Sequence, residues 1–124
     1  MSVLKFRWLF LGLILLVMAS CTGSRAFTQT GNASFYSNKF QGKKMANGQP
    51  YRKRKLTAAH NTLPFGTKVK VKNQENGRTV KVKITDRGPH SRNRILDLSL
   101  AAARRLDMVQ SGVVPVTIKV IRRP

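Results

Sequence analysis

Apolar and basic residues alternate strictly along two neighbouring stretches of the chain. In "TKVKVKN", Val69 and Val71 face one way and Lys68, Lys70 and Lys72 the other; in "TVKVKIT", Val80, Val82 and Ile84 alternate with Lys81 and Lys83. A period of two is the mark of strands with one buried face. The connecting "QENG" contains Asn76-Gly77, a strong tight-turn signal, so the two stretches are predicted to form a β-hairpin. Its outer face carries five lysines, either a solubilising face that blunts a sheet edge or a docking surface for an anionic polymer. "ASFYS" (33–37) and "VVPVTIKVI" (113–121) read as further strands, with Pro115 pushing the start of the latter toward an edge or a bulge. "DLSLAAARRLDM" predicts a short helix: Ser99 is a good N-cap, Leu100, Ala103 and Leu106 share a face, and Arg104 and Arg105 suit the negative end of the dipole. Many short strands with one helix imply a small closed or nearly closed β-structure.

The first stretch does not fit this pattern. "MSVLKFRWLFLGLILLVMASC" has a basic start (Lys5, Arg7), an apolar run from Trp8 to Val17 and small residues ahead of Cys21, the plan of a secretory signal. The run is shorter than the ~20 residues a membrane-spanning helix needs. Cys21 is the only cysteine in the chain, which rules out an internal disulfide and leaves the thiol without a structural partner. "VMASC" resembles the lipobox of bacterial lipoproteins, which implies a signal peptide over residues 1–20 and a lipidated Cys21 as the mature N-terminus; the alternative is ordinary cleavage beside an incidental cysteine. Thr22, in place of the aspartate that marks retention at the inner membrane, favours an outer-membrane lipoprotein facing the periplasm. Residues 21–30 are polar and read as a tether, leaving residues 31–124 as the folded domain.

Charge narrows the partners. The chain has 24 Lys plus Arg against 4 Asp plus Glu. Loss of Lys5 and Arg7 with the leader takes the net charge from +20 to +18. Such a field draws polyanions, but export argues against nucleic acid and toward wall carboxylates or lipid phosphates. The sequence is silent on protein partners.

Three loop segments hold nearly all the remaining polar groups: "MANGQPY" (45–51), "LTAAHNTLPFGT" (56–67) and "TDRGPH" (85–90). Within them the proton-transfer candidates are Asp86 and His60. His60 is expected to close a short helical turn before the hairpin, and each has a structural alternative: Asp86 as acceptor of backbone amides in the "DRGP" turn, and His60 as a structural histidine bonded to backbone. Asp97, just before the helix cap, reads as structural. No metal cluster, cofactor motif or nucleophile elbow is visible.

The blocks "LTAAH", "LPFGT", "DRGP" and "DLS", in this order, resemble the rare lipoprotein A (RlpA) family of bacterial proteins, and the resemblance spans the folded part. It implies a mainly β fold, a six-stranded double-psi β-barrel with one short helix, related to expansins and grooved for glycan. It also implies lytic transglycosylase action on peptidoglycan glycan strands, particularly peptide-poor ones, giving 1,6-anhydro-muramyl products without a cofactor. Carried over by position, Asp86 matches the catalytic aspartate and His60 the active-site histidine. Gln49 stands where catalytic members have a glutamate, and an amide cannot shuttle a proton. Gln49, Tyr36, Asn47 and Arg87 are expected to line the groove and bind substrate.

One carboxyl group suffices for this chemistry in principle. It protonates the leaving glycosidic oxygen and then deprotonates the sugar's own C6 hydroxyl, which closes the anhydro ring. Such an acid needs shelter from water and from cations, and adjacent Arg87 is tolerable only if it points to the other face. Two readings follow: an endolytic transglycosylase, or a glycan-binding module that has kept the groove and lost catalysis, as Gln49 suggests.

Overall fold

The computed structural model describes residues 26–124; Cys21, the signal over residues 1–20 and the first part of the tether lie outside the described residues. Six strands, β1 (Thr28–Phe35), β2 (Thr57–Ala59), β3 (Lys68–Asn73), β4 (Thr79–Asp86), β5 (Arg94–Leu98) and β6 (Val114–Arg122), close into a barrel in the order β1-β5-β2-β4-β3-β6. Among the described residues there is one α-helix, α1 (Leu100–Arg105), directly after β5, and one 3₁₀ turn at Asn38–Phe40. This is the closed β-structure with a short helix that the patterning implies.

The hairpin forms as its alternation requires. Val69 pairs with Val82 and Val71 with Val80, and all four are buried. The lysines between them stand outside, with Lys68 opposite Lys83 and Lys70 opposite Lys81. At the tip, Gly77 takes a φ of 78° that a residue with a Cβ would resist. The Asn73 and Asn76 side-chain amides both donate to the Leu106 carbonyl, at 3.0 and 2.9 Å, tying the hairpin to the end of α1. Ser99 caps that helix as expected, its hydroxyl accepting from the Ala102 amide.

Three segments depart from the pattern-based reading. β1 begins at Thr28, not Ala33, so the tether is shorter and the domain longer than the composition indicates. "TQTGN" is too polar to register as a strand, but its backbone is zipped against β6 from Thr28↔Lys119 to Ala33↔Val114. Residues 57–59, taken as part of a helical turn, form β2, a three-residue strand bracketed by β4 and β5. Pro115 meets no edge, since the barrel has none; it sits opposite Asn32, where the register of β1 with β5 slips.

Two pairings are parallel, β1 with β5 and β2 with β4; the other four are antiparallel. That mixture sets up the rim where the loops gather. Ala59 of β2 is in register with Asp86 of β4 on one side and with Asp97 of β5 on the other. Directly opposed residues share a face, so both carboxylates rise over the small Ala59 side chain. Their Cα atoms are two strand spacings apart, about 9–10 Å.

Candidate functional site

Asp86, the last residue of β4, opens onto a cavity of about 640 Å³ that also receives Tyr36, Ser34 and Asp97. Its carboxylate accepts three hydrogen bonds: from the Tyr36 hydroxyl at 2.6 Å and from the Ala46 and Arg87 amides at 2.8 Å each. All three donors are neutral. Among the described residues no cation pairs with Asp86.

Adjacent Arg87 is out of reach because consecutive strand residues point to opposite sides. Its guanidinium donates to the His60 and Leu63 carbonyls, at 3.1 and 2.8 Å, and lies 4.1 Å from the centroid of the Phe65 ring. Those carbonyls belong to a bend that no strand can satisfy, and Arg87 satisfies them. Arg87 is among the residues that line the cavity, with its guanidinium engaged by the His60 and Leu63 carbonyls rather than by Asp86.

Tyr36 follows β1 and is held by a bond from its amide to the Leu98 carbonyl, 2.9 Å, and by the Tyr51 and Phe40 rings, whose centroids lie 4.5 and 5.6 Å away. Burial, then the bond to Asp86 and the charges of Asp86 and Asp97, push its hydroxyl far above the ordinary tyrosine range. It is thus a permanent donor to Asp86. A hydrogen bond to a charged group contributes about 1.5–3 kcal/mol to stability, so Tyr36→Phe is expected to destabilise the fold by an amount of that order, measured by denaturant titration.

His60 is placed elsewhere. Its backbone amide bonds the Asp86 carbonyl at 3.1 Å, but its ring is buried behind the strand. Nδ1 accepts from the Thr62 and Leu63 amides at 3.1 Å each, and Nε2 lies 2.8 Å from Gln29 Oε1. Two amides on Nδ1 put the proton on Nε2. Burial, and secondarily the charge of Arg87, hold the imidazole below the ordinary histidine range. The ring is neutral and fully engaged, the arrangement of a positioning residue.

That state has a pH signature. The unfolded chain binds a proton on His60 once pH drops below about 6.5, while the folded ring resists it, so the unfolded state then holds more protons. This contribution to stability is complete above that value and declines as pH falls. The melting temperature is expected to drop from about pH 7.5 to 5, and His60→Asn, which keeps an acceptor but cannot titrate, to flatten the decline.

Asn47 and Gln49 line an adjoining hollow of about 390 Å³, together with Lys83 and Thr85, rather than the Asp86 cavity. Asn47 Oδ1 accepts the Gln49 amide at 2.9 Å, and the Asn47 amide donates to the Thr85 carbonyl at 3.2 Å. These bonds shape the loop that delivers the Ala46 amide to Asp86. The Gln49 side chain is exposed.

Asp97, read from the sequence as structural, lines the same cavity. The Ser34 hydroxyl donates to it and Arg94 Nε stands 3.5 Å away. Its place follows from the parallel pairing of Ser34 with Asp97, a register that no local motif announces. The cavity thus holds two unlike carboxylates, Asp97 beside a cation and Asp86 among neutral donors. Gly88, at φ 133°, turns the chain sharply between them; a Cβ there would stand 4.0 Å from Asp97 Oδ2. Lys39, Lys43 and Lys44 ring the opening.

Barrel topology and paired acids together define a double-psi β-barrel with a polar groove. Solved structures agree. The Streptomyces papain inhibitor superposes with a TM-score of 0.64 at 29% identity over 77% of this chain and 96% of that one. An expansin from Clavibacter michiganensis gives 0.61 at 28% identity over 79% of this chain and 52% of its own. A mutant of the Clavibacter expansin, 24% identical here, was crystallised with cellohexaose. In sequence, the family described as lytic transglycolase matches residues 28–118. Relatives include the probable endolytic peptidoglycan transglycosylase RlpA of Aquifex aeolicus, 52% identical over 74% of this chain and 41% of its own, and the endolytic peptidoglycan transglycosylase RlpA of Campylobacter jejuni, 51% identical over 76% and 34%. The chain belongs to the RlpA family of lytic transglycolases, and its match spans about two-fifths or less of those two relatives.

Proposed function

We propose that this protein is an endolytic peptidoglycan transglycosylase that cleaves glycan strands and releases 1,6-anhydro-muramyl ends. The observation that carries the reading is Asp86: a cavity carboxylate bonded only to neutral donors, in a barrel whose relatives are named for this activity. A positioned general acid–base group has to supply a proton and then recover one within the reaction. Protonated Asp86 donates to the leaving glycosidic oxygen; the resulting carboxylate takes the proton of the C6 hydroxyl as that oxygen closes on C1. Atoms balance without water, because the substrate supplies the attacking oxygen. Asp97, beside Arg94, is placed to stabilise positive charge developing on the sugar ring. His60 and Arg87 act through the backbone behind Asp86 and are positioning residues.

The lysines at the opening fit strands stripped of their peptides, on which each muramic acid exposes a free carboxylate. The leader and Cys21 support an outer-membrane lipoprotein facing the periplasm, held by acyl chains at Cys21. Labelling with a palmitate analogue tests this: Cys21→Ala is expected to abolish incorporation, and labelling that persists in this variant would refute the anchor.

Digestion of purified sacculi tests the activity, with muropeptides separated by mass. Anhydro-muramyl products are expected, and more from amidase-treated than from untreated sacculi. The exposed, amide-bearing Gln49 favours a second reading, a glycan-binding module. Sedimentation with sacculi but no products, together with activity in Gln49→Glu, would establish it.

A further inference from the structure

The corner of the barrel where the chain enters and leaves combines exposed apolar side chains with unpaired cations. Phe27, Phe65 and Ile121 are 38%, 37% and 41% exposed. They are neighbours: the Phe27 carbonyl accepts the Val120 amide at 3.0 Å, the Phe27 ring meets the His60 ring edge-on at 6.4 Å, and the Phe65 ring lies against Arg87, which holds the His60 bend. A Cβ on Gly66, next to Phe65, would stand 3.1 Å from the Pro124 ring at the chain's end.

Cations adjoin this corner. Lys68 is opposite both Lys83 and Arg122, and Lys119 is opposite Lys70. Directly opposed like charges destabilise a sheet, and among the described residues no salt bridge to a carboxylate relieves them. Of the four acids, Asp86 and Asp97 are in the cavity, Glu75 is at the hairpin tip and Asp107 just past α1.

We propose that this corner docks on an anionic lipid surface, with Phe27, Phe65 and Ile121 entering the headgroup region and Lys68, Lys119 and Arg122 pairing with phosphates. A soluble polyanion would answer the cations but leave the phenyl rings in water; a bilayer surface answers both. The leading segment also points to lipid. Its apolar run belongs to residues 1–25, which join the barrel at this corner. An anchor at Cys21 would be only six residues from Phe27, a reach of about 20 Å when fully extended. Docked this way, the Arg87 side of β4 faces the membrane and the Asp86 side faces the wall. The proposal goes beyond glycan cleavage and does not depend on it.

The barrel over residues 26–124 contains all six strands and a core of its own, so it is a unit that can be studied without the apolar leader. Its sedimentation with vesicles of equal parts phosphatidylglycerol and phosphatidylcholine is expected to be at least about tenfold tighter than with phosphatidylcholine alone. The triple variant Phe27→Ser, Phe65→Ser, Ile121→Ser is expected to lose at least about tenfold of that affinity. Since Trp8 is the chain's sole tryptophan, Phe65→Trp in this unit gives a single reporter that does not depend on the triple variant folding. Its emission is expected to shift to the blue on the anionic vesicles. Equal binding to both vesicle types, unchanged binding by a folded triple variant, or emission that stays at the aqueous wavelength would each overturn the proposal.

Discussion

Asp86→Asn is expected to lower release of anhydro-muramyl products from sacculi by about 10²- to 10⁴-fold, the usual contribution of a positioned acid-base group. Asparagine preserves size and can still accept from the Ala46 and Arg87 amides, so the fold should survive. Two effects combine in the loss. The amide has no proton to give the glycosidic oxygen, and it cannot later remove one from the C6 hydroxyl. Because the same atom serves both steps, kcat is expected to fall far more than affinity for sacculi. Thermal unfolding and sedimentation run alongside the assay separate catalysis from folding and binding. Undiminished product formation would remove Asp86 from the mechanism and turn attention to Asp97.

Leu98→Ala carries the largest expected effect on stability. Leu98 is fully buried, lies in the central apolar cluster and pairs across β5 with both Phe35 and Ala58. Truncating a core leucine costs about 2–5 kcal/mol, depending on how far the site collapses, against a total of about 5–15 kcal/mol for a domain of ordinary stability. Denaturant titration followed by circular dichroism measures the loss. Function should decline as well, since the Leu98 carbonyl fixes the Tyr36 amide. A change below about 1 kcal/mol would mean that the barrel repacks around the gap.

The legibility of this chain follows how locally each feature is encoded. The hairpin was plain because Val69, Val71, Val80 and Val82 alternate with lysines and Asn76-Gly77 marks the turn. The helix was plain because Ser99 caps it. β2 was not, as three small residues show no period, and β5 was hidden by its continuity with the helix signal. Those two strands are held by partners distant in sequence. The site divides the same way. Asp86 and Tyr36 could be named from motif and resemblance, whereas their bond depends on closing the barrel. Asp97 looked like a cap-side residue because only the register with Ser34 brings it to the cavity. His60 and Arg87 were found but not oriented, since the strand pleat alone decides which face receives each side chain.

Ala59 has a mechanical consequence. The two acids hang on strands that both ladder onto this one short segment, so their separation is set by the repeat distance of a β-sheet, among the stiffest lengths a polypeptide offers. Substitutions in the surrounding loops are expected to leave the gauge between the two carboxyl groups constant, as rails stay when the carriages change.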